Sequence, residues 1–192
     1  MADRPHVCVF CGSSPGARSS YADAARRVGV SLARSGIGLV YGGGRVGLMG
    51  TLADATLGAG GRVVGVIPLP LSRPEVAHDG LTELHVVDTM HERKALMARR
   101  SDAFLMLPGG VGTFEEFFEI LTWGVLGLHR KPIGLLDIDG YYGPLRAMLD
   151  HAVAEGFIAR VHLEPIVAST DPDAVVDGLL ARIGSIGPDP RS

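Results

Sequence analysis

The sequence predicts an α/β fold in which helices cover both faces of a mostly parallel sheet of about seven strands. Short apolar runs rich in β-branched residues alternate with helix-length segments along the chain, which is the rhythm of parallel α/β proteins. Most of these runs are continuously apolar, as strands covered on both faces are. With 192 residues, 46% of them hydrophobic, the chain can bury one sizeable core. We therefore expect a three-layer fold in a single domain.

The individual elements follow from the same pattern. The predicted strands are residues 7–11, 38–41, 62–67, 83–87, 103–107, 133–137 and 165–168. The predicted helices are residues 21–34, 48–59, 92–101, 113–126, 142–155 and 173–183. Ser20 and Asp23 suggest a capping pair for the first helix. Residues 184–192 resemble a frayed end, so we expect one domain over residues 1–184 and a flexible tail over 185–192.

Charge and hydropathy exclude several classes of protein. The net charge is −3 and the basic residues are scattered, whereas nucleic-acid binding usually needs a basic stripe. No apolar segment approaches the roughly 20 residues that span a bilayer, and no secretory signal pattern opens the chain. We therefore expect a cytoplasmic protein with neither a nucleic-acid nor a membrane partner.

The two cysteines, Cys8 and Cys11, form a C-x-x-C pattern. Redox pairs of this kind lie where a strand gives way to a helix, but here both residues fall within one apolar run. Residues three apart on a strand point to opposite faces. We expect two buried, separate thiols.

Ligands of parallel α/β sheets collect at the carboxyl ends of the strands, where the strand order reverses. Three glycine-rich segments follow predicted strands, at residues 11–16, 41–47 and 107–113. Glycine lets the backbone turn tightly and bring N–H groups close to an anion. These loops are the candidate binding site.

The second loop matches the pattern G-x-G-x-x-G through Gly42, Gly44 and Gly47. A dinucleotide site would place this motif after the first strand and an acidic residue after the next one, where Ile67 and Pro68 stand instead. An ATP-binding P-loop would need a lysine that the loop lacks. Tight turns without a ligand remain an alternative for this loop.

The third loop, residues 108–116, joins a buried strand to an amphipathic helix. Unpaired N–H groups and the helix dipole favour a phosphate there. Thr113 is expected to cap the helix and donate to a phosphate oxygen. Glu116 has two interpretations: it completes a capping box with Thr113, or it faces positive charge developing on a bound sugar.

The segment Met90-His91-Glu92-Arg93-Lys94 opens the preceding helix. It is not a zinc-binding H-E-x-x-H motif, because Ala95 stands where the second histidine is needed. Basic residues near a helix start oppose the dipole, which indicates an anion or carboxylate nearby. A solvated charged face is the alternative.

These two motifs together resemble those of the Lonely Guy family of cytokinin-activating phosphoribohydrolases. Residues 42–50 and the segment Asp139-Gly140-Tyr141-Tyr142 are similar to that family as well, so the resemblance covers nearly the whole chain. It implies a Rossmann-like homodimer that hydrolyses the N-glycosidic bond of N6-substituted adenosine monophosphates without a metal or redox cofactor.

The resemblance also implies roles for particular residues. The family's essential arginine and glutamate correspond to Arg93 and Glu116. Its substrate contacts correspond to Glu75, Arg93, Lys94, Gly110, Val111, Gly112, Thr113, Phe114, Glu115, Glu116 and Thr122.

In the mechanism that we expect, the amides of Gly110, Gly112 and Thr113 hold the 5′-phosphate while Glu116 stabilises charge at C1′. Arg93 is expected to orient Glu116 through a bidentate pair. It cannot be the general acid, because a guanidinium does not deprotonate in proteins.

The family has also been labelled lysine decarboxylase, and the number of lysines in the chain bears on that label. Such an enzyme needs a Schiff-base lysine for pyridoxal phosphate, and only Lys94 and Lys131 are present. The remaining alternatives are a nucleosidase of broad specificity for purine or pyrimidine monophosphates and a non-catalytic carrier of a nucleotide-like cofactor.

Aromatic and apolar residues follow the third loop at mixed spacing. They are expected to pack in the core, with any surplus available to a dimer contact: Phe117, Phe118, Leu121 and Trp123.

Overall fold

The computed structural model describes residues 4–73 and 75–185, and it has one sheet of seven parallel strands. The strands are β1 (His6–Phe10), β2 (Gly38–Tyr41), β3 (Val63–Pro68), β4 (Glu83–Val87), β5 (Ala103–Met106), β6 (Ile133–Leu136) and β7 (Ile166–Ser169). Their order across the sheet is β4-β3-β2-β1-β5-β6-β7. The chain therefore builds outward from β1 in one direction and then from β5 in the other. The strand order reverses between β1 and β5, which defines the switch point.

In the described residues, six helices cover the sheet on both faces. They are α1 (Ser19–Arg34), α2 (Gly47–Gly58), α3 (Met90–Arg99), α4 (Val111–Val125), α5 (Gly143–Ala154) and α6 (Pro172–Ser185). Short 3-10 turns lie at Leu69–Leu71, Ile138–Gly140 and Arg160–Leu163. One hydrophobic cluster joins α1, α2 and α6 to the sheet, and a second joins α3, α4 and α5. This arrangement confirms the predicted three-layer α/β fold.

Alternating residues of β1, and Cys11 just after the strand, pack into the two clusters. Val7, Val9 and Cys11 belong to the α1 side, whereas Cys8 and Phe10 belong to the α3 side. Both cysteines are buried and free, and burial raises the pKa of each thiol well above its ordinary value. The prediction of two separate thiols on opposite faces is confirmed.

Helix α4 is fixed to the sheet by its apolar side. Phe117, Ile120 and Leu121 are buried in the cluster on that face, while Phe118 and Trp123 are half-buried. Burying a large apolar side chain contributes roughly 1.5–3 kcal/mol. Core packing thus holds the helix that carries the candidate site, as predicted for Phe117 and Leu121.

Predictions at the ends of elements were less successful. The capping pair of Ser20 and Asp23 is wrong, because α1 begins at Ser19 without a side-chain cap and Ser20 donates to Asp139 Oδ2 over 2.6 Å. Helix α6 ends at Ser185 and so includes the first two residues of the predicted frayed end. The rest of the predicted tail, residues 186–192, lies outside the described residues. Within the described part of the chain, no helix has the length and apolar character needed to cross a membrane.

Candidate functional site

A cleft of about 220 Å³ lies at the carboxyl ends of the strands, beside the switch point. The three glycine-rich loops meet there with the starts of α3 and α4. The lining residues are Val9, Phe10, Cys11, Gly12, Ser13, Gly42, Met49, Arg93, Gly110, Val111, Gly112, Thr113 and Glu116. The structure thus brings together the two sequence motifs at residues 90–94 and 108–116.

The start of α4 forms one wall of the cleft. Gly110 is the N-cap, and the first intrahelical bond runs from Phe114 N to Gly110 O at 3.0 Å. The amides of Val111, Gly112 and Thr113 precede that bond, so they have no intrahelical acceptor. Together with the helix dipole, these amides favour an anion in the cleft.

Thr113 is not the cap that the sequence suggested. It is the third residue of α4, and the N-cap, Gly110, has no side chain with which to cap the helix. The capping-box interpretation of Thr113 and Glu116 is therefore wrong. Thr113 is buried with its hydroxyl over Gly109, where any Cβ would collide with it.

Glu116 lies one turn further along α4 and pairs with Arg93 of α3. Arg93 Nη1 donates to Glu116 Oε1 over 3.1 Å, and Arg93 Nε donates to Val66 O over 3.1 Å. We expected a bidentate pair, but the structure shows a single hydrogen bond from Nη1 to the carboxylate, because Nε of the guanidinium donates to a carbonyl of β3. The side chains of Arg93 and Glu116 are only 11% and 10% exposed.

Burial sets the protonation of Glu116. It raises the pKa of this carboxyl to about 7, and the neighbouring Glu115 adds to the rise, while Arg93 and Lys94 oppose it. A pKa in this range allows a carboxyl to exchange protons near neutral pH. The cleft therefore contains a group suited to acid–base chemistry next to a helix start that favours an anion.

Helix α3 begins with a capping box that the sequence analysis missed. Glu92 N donates to Thr89 Oγ1 over 3.1 Å, and Thr89 N donates to Glu92 Oε2 over 3.3 Å. The pattern Thr-x-x-Glu was visible in the sequence at residues 89–92. This cap fixes the start of the helix and places Arg93 and Lys94 in its second turn.

Carboxylates of α4 pair with both basic residues of α3, Arg93 and Lys94. The expectation of a nearby carboxylate is confirmed, and the alternative of a solvated charged face is wrong. Lys94 is buried and pairs with Glu115 and, over 3.0 Å, with Glu119. Lys94 and Arg93 thus tie α3 to α4 at two neighbouring points.

Two glycines of the second loop permit close contacts, one with Arg93 and one with the backbone of Ser13. A Cβ at Gly42 would collide with Arg93 Nη2. Gly47 has a φ of 63° and lies against the backbone of Ser13, so a side chain there would be both strained and blocked. The close approach that Gly42 permits is thus to a side chain of the same protein.

Five of the predicted substrate residues do not line the cleft: Glu75, Lys94, Phe114, Glu115 and Thr122. Glu75 is exposed in a loop that is bonded to the second glycine loop through Arg45 N to Val76 O at 2.8 Å. Thr122 is exposed on α4, beyond the buried pair. Met49, to which the sequence analysis gave no role, does line the cleft; its only signal was its place within the segment 42–50.

The cleft does not fit pyridoxal phosphate. Lys94 is engaged by two carboxylates, Lys131 Nζ donates to Ala98 O over 2.9 Å, and neither lysine lines the cleft. A Schiff-base lysine is therefore missing where a decarboxylase would need it. Among residues 4–73 and 75–185, no group of three or more His, Cys, Asp or Glu is placed to hold a metal ion.

Comparisons with known proteins find relatives that cover most of the chain. A family model described as "Possible lysine decarboxylase" matches residues 49–179. The cytokinin riboside 5′-monophosphate phosphoribohydrolase of Rhodococcoides fascians is 54% identical over 93% of this chain and 89% of its own length. The enzyme LOG3 of Arabidopsis thaliana, which carries the same name, is 49% identical over 90% of this chain and 80% of its own.

Solved structures share the fold. The molybdenum cofactor binding protein of Rippkaea orientalis has a TM-score of 0.72 and 20% identity, over 95% of this chain and 99% of that one. A molybdenum cofactor carrier protein of Chlamydomonas reinhardtii has a TM-score of 0.71 and 20% identity over the same shares. At this identity the likeness concerns the fold alone.

Proposed function

Because the chain belongs to the Lonely Guy family of cytokinin riboside 5′-monophosphate phosphoribohydrolases, we propose that its substrates are N6-substituted adenosine 5′-monophosphates and AMP. The chain is an N-glycosidic hydrolase, as relatives about half identical over most of its length are. The products are then the free base and ribose 5-phosphate. The observation that carries the proposal is the buried Glu116, paired with Arg93, one turn below the open amides of α4.

The 5′-phosphate binds at the start of α4 in this proposal. The amides of Val111, Gly112 and Thr113 have no acceptor within the helix, and the amide of Gly110 precedes them. A phosphate there gains hydrogen bonds and the favourable end of the helix dipole. It also brings the ribose towards Glu116, which lines the same cleft.

Glu116 acts on the sugar. As the C1′–N9 bond breaks, its electron pair leaves with the base and positive charge develops at C1′. A carboxylate beside C1′ stabilises that charge. Water then adds its oxygen to C1′, and the base takes up a proton. With a pKa near 7, Glu116 is also able to accept a proton from the attacking water.

Arg93 prepares Glu116 for this role. Its Nε is fixed by Val66 O and its Nη2 fits against Gly42, so Nη1 is held in place beside Glu116 Oε1. A group whose position is fixed before the substrate binds needs no rearrangement during the reaction.

We also propose that the chain acts as a homodimer. The volume of the cleft, about 220 Å³, is below the roughly 300–1,000 Å³ typical of small-molecule sites, so one chain encloses the substrate incompletely. Thr122 and the apolar Val125 and Leu126 are exposed on and just beyond α4.

Light scattering tests the proposed homodimer: we expect twice the chain mass for the wild type, and the mass of a monomer for Leu126→Glu. A wild-type monomer that turns over substrate would refute it.

A product assay tests the proposed activity. The protein is incubated with AMP, isopentenyl-AMP, CMP and the two matching adenine nucleosides, and free base is measured by chromatography. We expect base and ribose 5-phosphate from AMP and isopentenyl-AMP only, since a nucleoside has no phosphate for α4 to bind.

The other outcomes identify the alternatives. Comparable cleavage of CMP would indicate a nucleosidase of broad specificity. Tight retention of a nucleotide without release of ribose 5-phosphate would indicate a carrier. Equal cleavage of nucleosides and nucleotides would contradict the role given to α4.

A further inference from the structure

Three consecutive carbonyls of the loop between β5 and α4 accept hydrogen bonds from donors outside the loop. The carbonyl of Leu107 accepts from Tyr142 Oη over 2.5 Å, that of Pro108 accepts from Gly12 N over 3.0 Å, and that of Gly109 accepts from Tyr141 Oη. Two of the three donors are the neighbouring tyrosines of the segment that follows β6. No step of the proposed reaction uses these tyrosines.

The carbonyl of Gly109 is the informative one. In a planar trans peptide the C=O and the following N–H point in opposite directions. The bond from Tyr141 to Gly109 O therefore also sets the direction of Gly110 N–H, one of the proposed phosphate donors. Gly109 has to be glycine, because a Cβ would collide with Thr113 Oγ1. Since glycine does not restrict its own dihedral angles, an external bond is needed to fix this peptide.

Tyr141 is itself well supported. Its ring stacks on Phe114 with centroids 6.5 Å apart and meets the edges of Tyr21 and Tyr142 at 5.7 and 5.0 Å. The turn before it contains Asp139, the one non-glycine residue with positive φ (54°) in the described part of the chain. Asp139 accepts from Ser20 Oγ over 2.6 Å, which ties this turn to the start of α1. The ring contacts and the turn together aim the hydroxyl at Gly109.

We propose that Tyr141 is a positioning residue whose hydroxyl orients the Gly109–Gly110 peptide so that Gly110 N–H faces the 5′-phosphate. The inference rests on the proposed function, since it assigns a cause to phosphate binding at the same site. Tyr142 provides the matched comparison. Its hydroxyl holds Leu107 O, but the next nitrogen belongs to Pro108 and carries no hydrogen, so no phosphate donor depends on it.

The test measures binding of ribose 5-phosphate and of adenine by calorimetry, so that it does not depend on turnover. Tyr141→Phe keeps the ring contacts and removes only the hydroxyl. We expect the Kd for ribose 5-phosphate to rise about 3- to 10-fold, the usual range for one neutral hydrogen bond, while the Kd for adenine stays unchanged. Tyr142→Phe should lower the melting temperature and leave both dissociation constants within about two-fold.

Two results would overturn the proposal: an unchanged Kd for ribose 5-phosphate in Tyr141→Phe, or an equal weakening of ribose 5-phosphate and adenine. Tyr141→Leu, which loses ring and hydroxyl, is the second variant. If Phe restores the phosphate affinity that Leu loses, stacking is the cause and the hydroxyl has no role. Failure of wild-type protein to release base would instead count against the proposed activity and leave this binding test intact.

Discussion

Arg93 Nη1 donates to Glu116 Oε1 over 3.1 Å, and this buried pair joins the start of α3 to α4 inside the cleft. Removing one member of a buried pair leaves the other without compensation, which typically costs more than the pair itself contributes. The pair therefore makes the position and the protonation of Glu116 depend on Arg93.

Gly42→Ala should disturb the pair without substituting either of its members. The new methyl group would collide with the guanidinium of Arg93, so we expect kcat/KM to fall at least ~10-fold and stability to fall by about 1–3 kcal/mol, as overpacking does. Gly44→Ala is the control, because its nearest neighbour is Met49 Sδ at an ordinary 3.4 Å. Equal kinetics for the two variants would show that Arg93 does not depend on Gly42.

Gly112→Ala should separate stability from binding. A methyl group at this helical position meets nothing within 4 Å apart from its chain neighbours and its own helix backbone, and alanine favours a helix over glycine by up to about 1 kcal/mol. Gly112 lines the cleft, however, so the methyl group should crowd the phosphate. We expect an equal or higher melting temperature and a higher KM. Gly58→Ala, equally open on α2, should leave KM unchanged.

The pH dependence of activity should report Glu116. Since its pKa is about 7 and the carboxylate is the active form, kcat/KM should rise with pH and level off above pH 7. Bound phosphate is negative and favours the protonated form of Glu116. The apparent pKa in the pH profile of kcat should therefore be higher than the one in the profile of kcat/KM. A profile limited only near pH 6, where the substrate phosphate titrates, would argue against Glu116.

The stability of the fold should fall as pH rises, whereas the activity should rise. The folded-state pKa of Glu116, about 7, lies above its ordinary value of 4.5, so the folded protein keeps a proton that the unfolded chain releases. This contribution is fully present below about pH 4.5 and is lost as pH rises to 7, roughly 3 kcal/mol in all. Urea unfolding at pH 5 and pH 8 measures it. The part of the pH dependence of the unfolding free energy that is due to Glu116 should vanish in Glu116→Gln. An unchanged pH dependence in that variant would refute the raised pKa of Glu116.

The fold could be predicted well because most strands are local apolar runs. The run at residues 103–107 was recognisable by itself, and the structure moved its end by only one residue, to Met106. Parallel pairing then followed from the intervening helices. The capping box at Thr89 was equally local, and reading residues 89–92 with the same rule would have found it.

The site could be predicted only in part, because contacts distant in sequence decide it. Thr113 and Glu116 have the spacing of a capping box, and nothing local shows that Arg93, 23 residues earlier, holds the carboxylate. Ser20 likewise looked like a cap until the fold brought Asp139, 119 residues away, to its hydroxyl. Spacing rules describe one helix at a time, whereas these side chains are shared between elements.

The most direct test of the account compares Glu116→Gln with Glu119→Gln in single-turnover cleavage of isopentenyl-AMP. Both substitutions remove one charge from α4, but Glu119 pairs with Lys94 and does not line the cleft. We predict that Glu116→Gln slows base release at least ~10²-fold, which corresponds to about 2.7 kcal/mol, while Glu119→Gln stays within about three-fold of wild type. Near-normal release by Glu116→Gln, with nucleotide bound, would contradict the central claim that this carboxylate acts on the sugar.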